Sequence, residues 1–173
     1  MTQSLNPKYD DIIPFIKENQ ERFYRFAYRY MKNADESVEV VQETIVKALE
    51  KIHTLRQKEY LKSWFYRILI NECITNIRKN KRIVFAEQCY DVPYNDTDIS
   101  KKELASIVFK AIDNLDVKYK TIILLRFYED MTISDIADVL KININTVKSR
   151  LYRALDILKS ELKNEDIQEF DIF

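Results

Sequence analysis

Glycine is absent from this chain of 173 residues, and proline occurs only three times. Loops that cradle phosphate groups need the backbone freedom of glycine, so the sequence excludes a Rossmann fingerprint and a P-loop. The two cysteines, Cys73 and Cys89, are too few for a disulfide framework or a zinc cluster. The single histidine, His53, argues against a histidine-based metal site or catalytic triad. We therefore predict neither an enzyme nor a cofactor.

Long apolar runs are also missing. No stretch approaches the roughly 20 apolar residues of a membrane span, and Asp10 and Asp11 interrupt the N-terminal segment where a signal peptide would be apolar. Hydrophobic residues make up 46% of the chain and charged residues 32%, which is typical of a folded protein. We expect a cytoplasmic protein with reduced thiols.

Charge is distributed unevenly, although 28 basic side chains balance 28 acidic ones. Residues 1–85 hold 16 basic against 11 acidic side chains, and residues 104–163 hold 10 against 8. The acidic excess falls on residues 86–103, with 2 against 5, and on residues 164–173, with 0 against 4. Such asymmetry favours two basic folded blocks joined and followed by acidic segments.

The spacing of apolar residues predicts an all-α fold of two small domains. Three helices are expected in residues 1–85, and the third should cover residues 61–81. The apolar face of the first helix carries Phe15, Phe23, Phe26, Ala27 and Tyr30. The second helix, with Asp35 as its N-cap, should bury Val38, Val41, Ile45, Ala48 and Leu49, and the third should turn Trp64, Ile68 and Leu69 inward.

Residues 86–103 have no clear period and are predicted to form a flexible linker. Residues 164–173 are predicted to be an acidic, disordered tail. In the second domain, residues 104–163, helices are expected near 103–115, 117–128, 133–140 and 144–162. Thr132 and Asp135 have the spacing of a capping box, and Asn143 should cap the last helix. The short turn between the last two helices indicates a helix-turn-helix.

The last helix has two distinct faces. Its apolar stripe consists of Val147, Leu151, Ala154, Leu155 and Leu158, and its other face carries Asn145, Lys148, Ser149, Tyr152 and Arg153. Arginine and lysine reach guanine edges in the major groove, and asparagine reaches adenine, so this face favours DNA binding. A solvated amphipathic helix with surface lysines is the alternative.

Several segments resemble the extracytoplasmic-function sigma factors. Residues 146–154, TVKSRLYRA, are similar to that family's region-four recognition helix, and residues 122–129 and 133–137 also match its pattern. Residues 35–49, with the sequence VQET at 41–44, resemble the polymerase-binding helix of region two. Residues 61–68 and the basic residues 78–82 resemble the promoter-melting and minus-ten-reading segment.

The resemblance implies a sigma factor that binds core RNA polymerase, at the clamp helices and flap of its large subunit, and directs promoter-specific initiation. It also implies an anti-sigma factor, often membrane-anchored, that would hold the protein at the inner membrane face, and no small-molecule substrate. The implied polymerase contacts are Asp35, Glu39, Gln42 and Glu43. An alternative for Glu43 is an intrahelical ion pair with Lys47.

For the minus-ten DNA the resemblance implies a pocket for a flipped base in residues 53–60, with Asn71 in its wall, and stacking by Trp64 and Tyr66. A core position is the alternative for Trp64. The full set is His53, Arg56, Lys58, Tyr60, Trp64, Tyr66, Arg67, Asn71 and Arg78. The implied minus-thirty-five contacts, some of them to phosphates, are Asn145, Thr146, Lys148, Ser149, Arg150, Tyr152 and Arg153.

Two departures from the family concern glycine. Lys141 and Asn145 stand where the family usually has glycine, so Lys141 is expected at a strained positive φ. Two other functions remain open. A stand-alone helix-turn-helix regulator would need a dimerisation element and a receiver or ligand pocket, and a pure interaction protein would bind polymerase without reading promoters.

Overall fold

The computed structural model describes residues 7–80 and 99–164, which belong to two compact units divided at residues 90 and 91. Every regular element in these two ranges is helical, which confirms the all-α prediction. Most of the predicted linker lies outside the described residues, and so does all of the predicted tail except its first residue. None of the described helices combines the length and apolar character that a membrane span requires.

The first unit contains three long helices, α1 (Pro7–Met31), α2 (Ala34–Lys51) and α3 (Leu61–Asn80). The Tyr9 hydroxyl donates to the Leu49 carbonyl at 3.1 Å, so the start of α1 lies beside the end of α2. Two short 3-10 turns, Ile52–Thr54 and Lys58–Tyr60, connect α2 to α3. Helices α1 and α2 therefore run in opposite directions, and each of the three helices contacts the other two.

Aromatic rings fill the core of this bundle. The Phe23 ring of α1 stacks on the Phe65 ring of α3, with centroids 4.3 Å apart. Phe15 and Phe26 of α1 extend the cluster, and each packs against an aromatic ring of α3. Offset and edge-on ring pairs of this kind stabilise a core beyond the area they bury. The predicted apolar face of α1 is confirmed for Phe23, Phe26, Ala27 and Tyr30, all of which are buried.

Helix α2 differs from the prediction in its cap and in its buried face. Its N-cap is Asn33, not Asp35, because the Asn33 side chain accepts a hydrogen bond from the Glu36 N–H at 3.0 Å. Val38 was predicted to be buried but is 44% exposed. The buried face of α2 includes two polar side chains, so it is rotated relative to the predicted apolar face. The hydroxyl of one of them, Thr44, donates a hydrogen bond to the Val40 carbonyl at 2.7 Å. The buried residues are Ser37, Val40, Val41, Thr44 and Ala48.

The second unit contains α4 (Ile99–Asn114), α5 (Val117–Ile123), α6 (Ile133–Leu140) and α7 (Ile144–Asn164). Helix α4 begins inside the segment that was predicted to be linker. Helix α5 continues as a π-helical turn, Leu124–Tyr128, in which the Glu129 N–H reaches back to the Leu124 carbonyl at 3.2 Å. Helix α7 packs against the other three helices, so it is the central element of this unit.

The turn between α6 and α7 confirms the predicted local geometry. Thr132 and Asp135 form a complete capping box at the start of α6. Lys141 ends α6 in the left-handed region, with φ 55° and ψ 44°, as expected for a lysine that replaces the family's glycine. Asn143 then accepts a hydrogen bond from the Asn145 N–H at 2.8 Å as α7 begins. The unit therefore contains a helix-turn-helix with defined ends.

Candidate nucleic-acid interface

The outer face of α7 is solvent-exposed along the predicted row of polar residues. Tyr152 is 66% exposed, and Asn145, Lys148, Ser149 and Arg153 are also exposed. Thr146 and Arg150 are half-buried at the edge of this face. On the opposite side the buried residues are Val147, Leu151, Ala154 and Leu158. The structure thus separates the two faces in the way the sequence predicts, except that Leu155 of the apolar stripe is only half-buried.

The charge of the N-terminal half of this face has one sign. Residues 144–155 contain Lys148, Arg150 and Arg153 and no acidic side chain. The N-terminus of α7 adds a partial positive charge of its own, because its first backbone N–H groups have no partner within the helix. An anionic ligand such as a DNA phosphate is therefore favoured at this end of α7.

The outer face of α2 is acidic and partly apolar. Asp35, Glu39, Gln42 and Glu43 are all exposed. Val38 and Val46 lie among them and are 44% and 55% exposed. A polar face that includes apolar side chains can bind another protein.

Lys47 does not use Glu43 as its main partner. Its ammonium group lies 2.5 Å from the carboxylate of Glu72 on α3. This hydrogen bond is the largest of the causes that raise the pKa of Lys47, and the charge of Glu43 is a smaller one. Glu43 therefore projects from the exposed face while Lys47 connects α2 to α3.

The segment between α2 and α3 presents most of the polar residues predicted to meet minus-ten DNA. His53, Arg56, Lys58 and Tyr60 are exposed, whereas Ile52 and Leu55 are buried beneath them. On α3, Asn71 and Arg78 are exposed and Arg67 is half-buried. Lys58 forms an ion pair with Asp11 of α1. The hydrogen bond to Asp11 raises the pKa of Lys58, so this lysine remains charged at any physiological pH.

Two aromatic residues predicted to stack on DNA bases are buried. Tyr66 is 1% exposed, and its ring packs edge-on against Phe26 at 5.2 Å and Phe23 at 5.6 Å. The stacking prediction for Tyr66 is therefore wrong, because its ring is buried among aromatic rings of the core. Trp64 is 9% exposed, which supports the alternative of a core position. Its indole N–H donates to the Thr54 hydroxyl at 3.1 Å.

Sequence patterns did not reveal Asp11 or Thr54 as neighbours of these residues. Asp11 lies 47 positions before Lys58, and no local motif links the two. Cys73 is buried, and its burial raises the pKa of the thiol, so the reactive thiolate is not formed near neutral pH. In the described ranges, no three His, Cys, Asp or Glu residues are grouped as metal ligands.

A capped helix-turn-helix with a cationic outer face is typical of DNA-binding proteins, and the first unit adds a separate helical module. Residues 15–83 match the family Sigma-70 region 2, and residues 106–158 match Sigma-70, region 4. The RNA polymerase sigma factor SigV of Bacillus subtilis (strain 168) is 40% identical over 164 residues, which cover 90% of this chain and 93% of SigV. The ECF RNA polymerase sigma-E factor of Haemophilus influenzae is 31% identical, over 86% of this chain and 85% of its own length.

Solved structures agree with this likeness. The sigma factor RpoE of Bartonella quintana, solved in complex with the anti-sigma factor NepR, superimposes with a TM-score of 0.77 at 25% identity, covering 92% of this chain and 99% of RpoE. The chain belongs to the extracytoplasmic-function sigma factor family. It is a sigma factor that directs RNA polymerase to promoters, and a stand-alone regulator is not favoured. Sigma factors as a class are initiation factors and generally not enzymes.

Proposed function

We propose that three exposed surfaces have different binding roles in initiation. The outer face of α7 reads the minus-thirty-five element, the outer face of α2 binds core polymerase, and the segment between α2 and α3 meets single-stranded minus-ten bases. In this scheme residues 1–85 form the region-two domain, residues 104–163 form the region-four domain, and residues 86–103 connect them. The observation that carries the proposal is the exposed, cationic face of α7 on a capped helix-turn-helix.

The chemistry of α7 suits duplex DNA. Arg153 and Lys148 can donate to guanine in the major groove, and the exposed amide of Asn145 can pair with adenine. Thr146, Ser149 and Arg150 lie near the positive end of the helix and are suited to phosphates. Tyr152 adds an exposed ring to the same face. The phosphate contacts would hold the helix in register while the longer side chains read sequence.

The chemistry of α2 suits a basic protein surface with an apolar centre. Asp35, Glu39 and Glu43 supply carboxylates and Gln42 supplies an amide, and all four are exposed. Val38 and Val46 would be buried on docking, and burial of apolar area is the dominant favourable term in most protein association. We propose the clamp helices of the polymerase large subunit as the partner of this face and its flap as the partner of the region-four domain.

The segment between α2 and α3 is suited to an unstacked base. Arg56 and Tyr60 project from it, and Asn71 and Arg78 are exposed on α3. Extrusion of a base from a duplex costs about a few kcal/mol, which stacking and edge hydrogen bonds in a pocket can offset. Lys58 remains in this set with its ammonium group held by Asp11.

An anti-sigma factor completes the proposed set of partners. The similar RpoE was solved with its anti-sigma factor NepR, and the fold of this chain follows RpoE over most of its length. We propose that such a partner holds this chain inactive until a signal releases it. A membrane anchor on that partner stays a prediction.

In-vitro transcription tests the proposal. Purified chain and bacterial core polymerase are combined on a promoter library at fixed salt. Start sites that depend on the chain and share two spaced elements are the expected result. Binding to core polymerase without specific initiation would contradict promoter reading.

Arg153→Ala tests the α7 assignment on the promoter so identified. If Arg153 reads a base, the substitution weakens use of the minus-thirty-five element by about 1–3 kcal/mol. Lys159→Ala is the matched control, because Lys159 is an exposed cation further along the same helix. Equal losses for the natural and a scrambled element would show that Arg153 contacts only phosphate.

A further inference from the structure

The segment between α2 and α3, residues 52–60, is here called the reading loop. Its first half is held by the side chain of Thr54. The Thr54 hydroxyl accepts a hydrogen bond from the Trp64 indole N–H at 3.1 Å and donates one to the Lys51 carbonyl at 2.7 Å. Because Trp64 is buried in α3, its indole N–H is a hydrogen-bond donor in a fixed position. The hydrogen bond to Thr54 therefore fixes the position of the 3-10 turn Ile52–Thr54.

The second half of the reading loop is held by an ion pair. The ammonium group of Lys58 binds the carboxylate of Asp11, which is half-buried on α1. Lys58 opens the 3-10 turn that ends at the exposed Tyr60. Between the two attachments, Leu55 inserts its side chain into the core and is 3% exposed. The exposed Arg56 therefore lies on a loop that is fixed on both sides.

We propose that Trp64 and Asp11 are positioning residues that hold the reading loop in the shape that receives a minus-ten base. This inference rests on the proposed function of the loop. A loop that is already ordered loses less conformational freedom when a base enters. A loop of fixed shape also cannot rearrange to fit a different base, so it discriminates between bases better than a loop that can repack. Trp64 acts through Thr54, not by stacking on DNA, which explains why a tryptophan in a promoter-melting segment is buried.

The hydrogen bond can be observed directly in the full chain, because Trp64 is the only tryptophan. Its indole N–H gives a single cross-peak in a nitrogen–proton correlation spectrum. Thr54→Val removes the hydroxyl and keeps the size of the side chain, so the peak should move and its hydrogen should exchange faster. Thr75→Val, on the exposed side of α3, is the matched control and should leave the peak in place.

The functional readout is promoter discrimination by the holoenzyme. Initiation is compared between a promoter with its preferred minus-ten element and versions with single-base changes. Thr54→Val should lower the discrimination ratio about two- to tenfold, the range that one hydrogen bond supplies. Asp11→Asn should lower it about two- to fivefold, as expected for an exposed ion pair. Affinity for core polymerase should stay unchanged in both variants.

Controls separate positioning from general stability. Asp10→Asn removes the neighbouring exposed carboxylate and should leave discrimination unaltered. The conservative variant Asp11→Glu, which keeps the carboxylate that pairs with Lys58, should retain the discrimination that Asp11→Asn loses. A shifted indole peak in Thr54→Val with an unaltered discrimination ratio would overturn the proposal and leave Trp64 as a core residue only. If Arg56→Ala and Tyr60→Ala also leave discrimination unaltered at every minus-ten position, the proposed function of the reading loop is itself wrong.

Discussion

The two units of the molecule are built by different means. The first has helices of 25, 18 and 20 residues, of which α1 and α3 meet through a cluster of aromatic rings. The second contains, beside the longer α4 and α7, the helices α5 and α6 of 7 and 8 residues, whose N-terminal ends are capped by polar side chains. Isolated helices of that length are not stable in water. The second unit therefore depends on local caps and on α7, whereas the first depends on contacts between residues far apart in the chain.

The two units also differ in the side chains that fill their cores. Rings of the first unit, such as Phe23 and Phe65, each contact several others, so one ring supports a large part of the bundle. The second unit buries aliphatic side chains in their place, and they are contributed by every helix. Among the described residues these include Ile112, Ile122, Leu125, Ile136, Val139, Val147 and Leu151. The comparison predicts that single substitutions have larger and more widely spread effects in the first unit.

Phe23→Ala should have the largest effect. Phe23 is fully buried, and its ring contacts Phe15, Phe65 and Tyr66. The free energy of unfolding of the first unit should fall by about 3–5 kcal/mol, because removal of a buried ring leaves a cavity as well as lost apolar area. Hydrogen exchange of the full chain should show lost protection in α1 and α3 and unchanged protection in α6 and α7.

A second readout uses the buried thiol of Cys73. In a Cys89→Ser background, a thiol reagent should label Cys73 slowly, because the thiol is buried and its raised pKa keeps it protonated. Phe23→Ala should accelerate the labelling, and Val46→Ala, at an exposed position of α2, should not. Equal loss of protection in both units would show that they unfold as one cooperative body, and would contradict the expectation that Phe23→Ala affects only the first unit.

The two units also differ in how much of their structure could be predicted from the sequence. The bounds of α6, the pair Thr132 and Asp135, the cap at Asn143 and the positive φ of Lys141 were all predicted, because each depends on residues a few positions apart. In the first unit, the error at Tyr66 fell where contacts between distant residues decide the packing, whereas the error at the cap of α2 was a local choice between Asn33 and Asp35. Tyr66 was assigned to DNA although the core takes its ring.

Helix α2 shows the other source of error. Apolar spacing placed Val38 inside, but Ser37 and Thr44 are buried in the stripe with their hydroxyls bonded to backbone carbonyls of the preceding turn. A pattern that counts only apolar residues cannot detect this. The contact of Asp11 with Lys58 has no signal in the sequence either, since the residues are 47 positions apart. The roles of the DNA-facing and polymerase-facing residues stay predictions.

Thr132→Ala should have an intermediate effect that is confined to the second unit. The substitution removes the acceptor for the Asp135 N–H and half of the capping box. Loss of an N-cap costs about 0.5–2 kcal/mol, and it should appear as faster hydrogen exchange in α6 with α1–α3 unaffected. Ser134→Ala, an exposed position in the first turn of the same helix, should change exchange very little. If the two variants lose equal protection, the capping box does not set the start of α6.

The smallest expected effect concerns a backbone feature that both units share, a lysine with a positive φ at the end of a helix. Lys141 ends α6 with φ 55°, and Lys32 follows α1 with φ 57°, so each holds a side chain where glycine is favoured. A left-handed conformation costs a residue with a β-carbon about 1–2 kcal/mol, and glycine offsets part of that gain by about 0.5–1 kcal/mol of extra freedom in the unfolded chain. Lys141→Gly should therefore raise the free energy of unfolding of the second unit by a few tenths of a kcal/mol to about 1 kcal/mol. Denaturant titration measures this change. Lys141→Ala keeps the β-carbon and should give no gain.

Lys32→Gly provides the comparison in the first unit. A gain at both positions would mean that local backbone strain acts alike in the two units, whereas a gain at Lys141 alone would mean that contacts of the Lys32 side chain outweigh the strain, as expected if long-range packing governs the first unit.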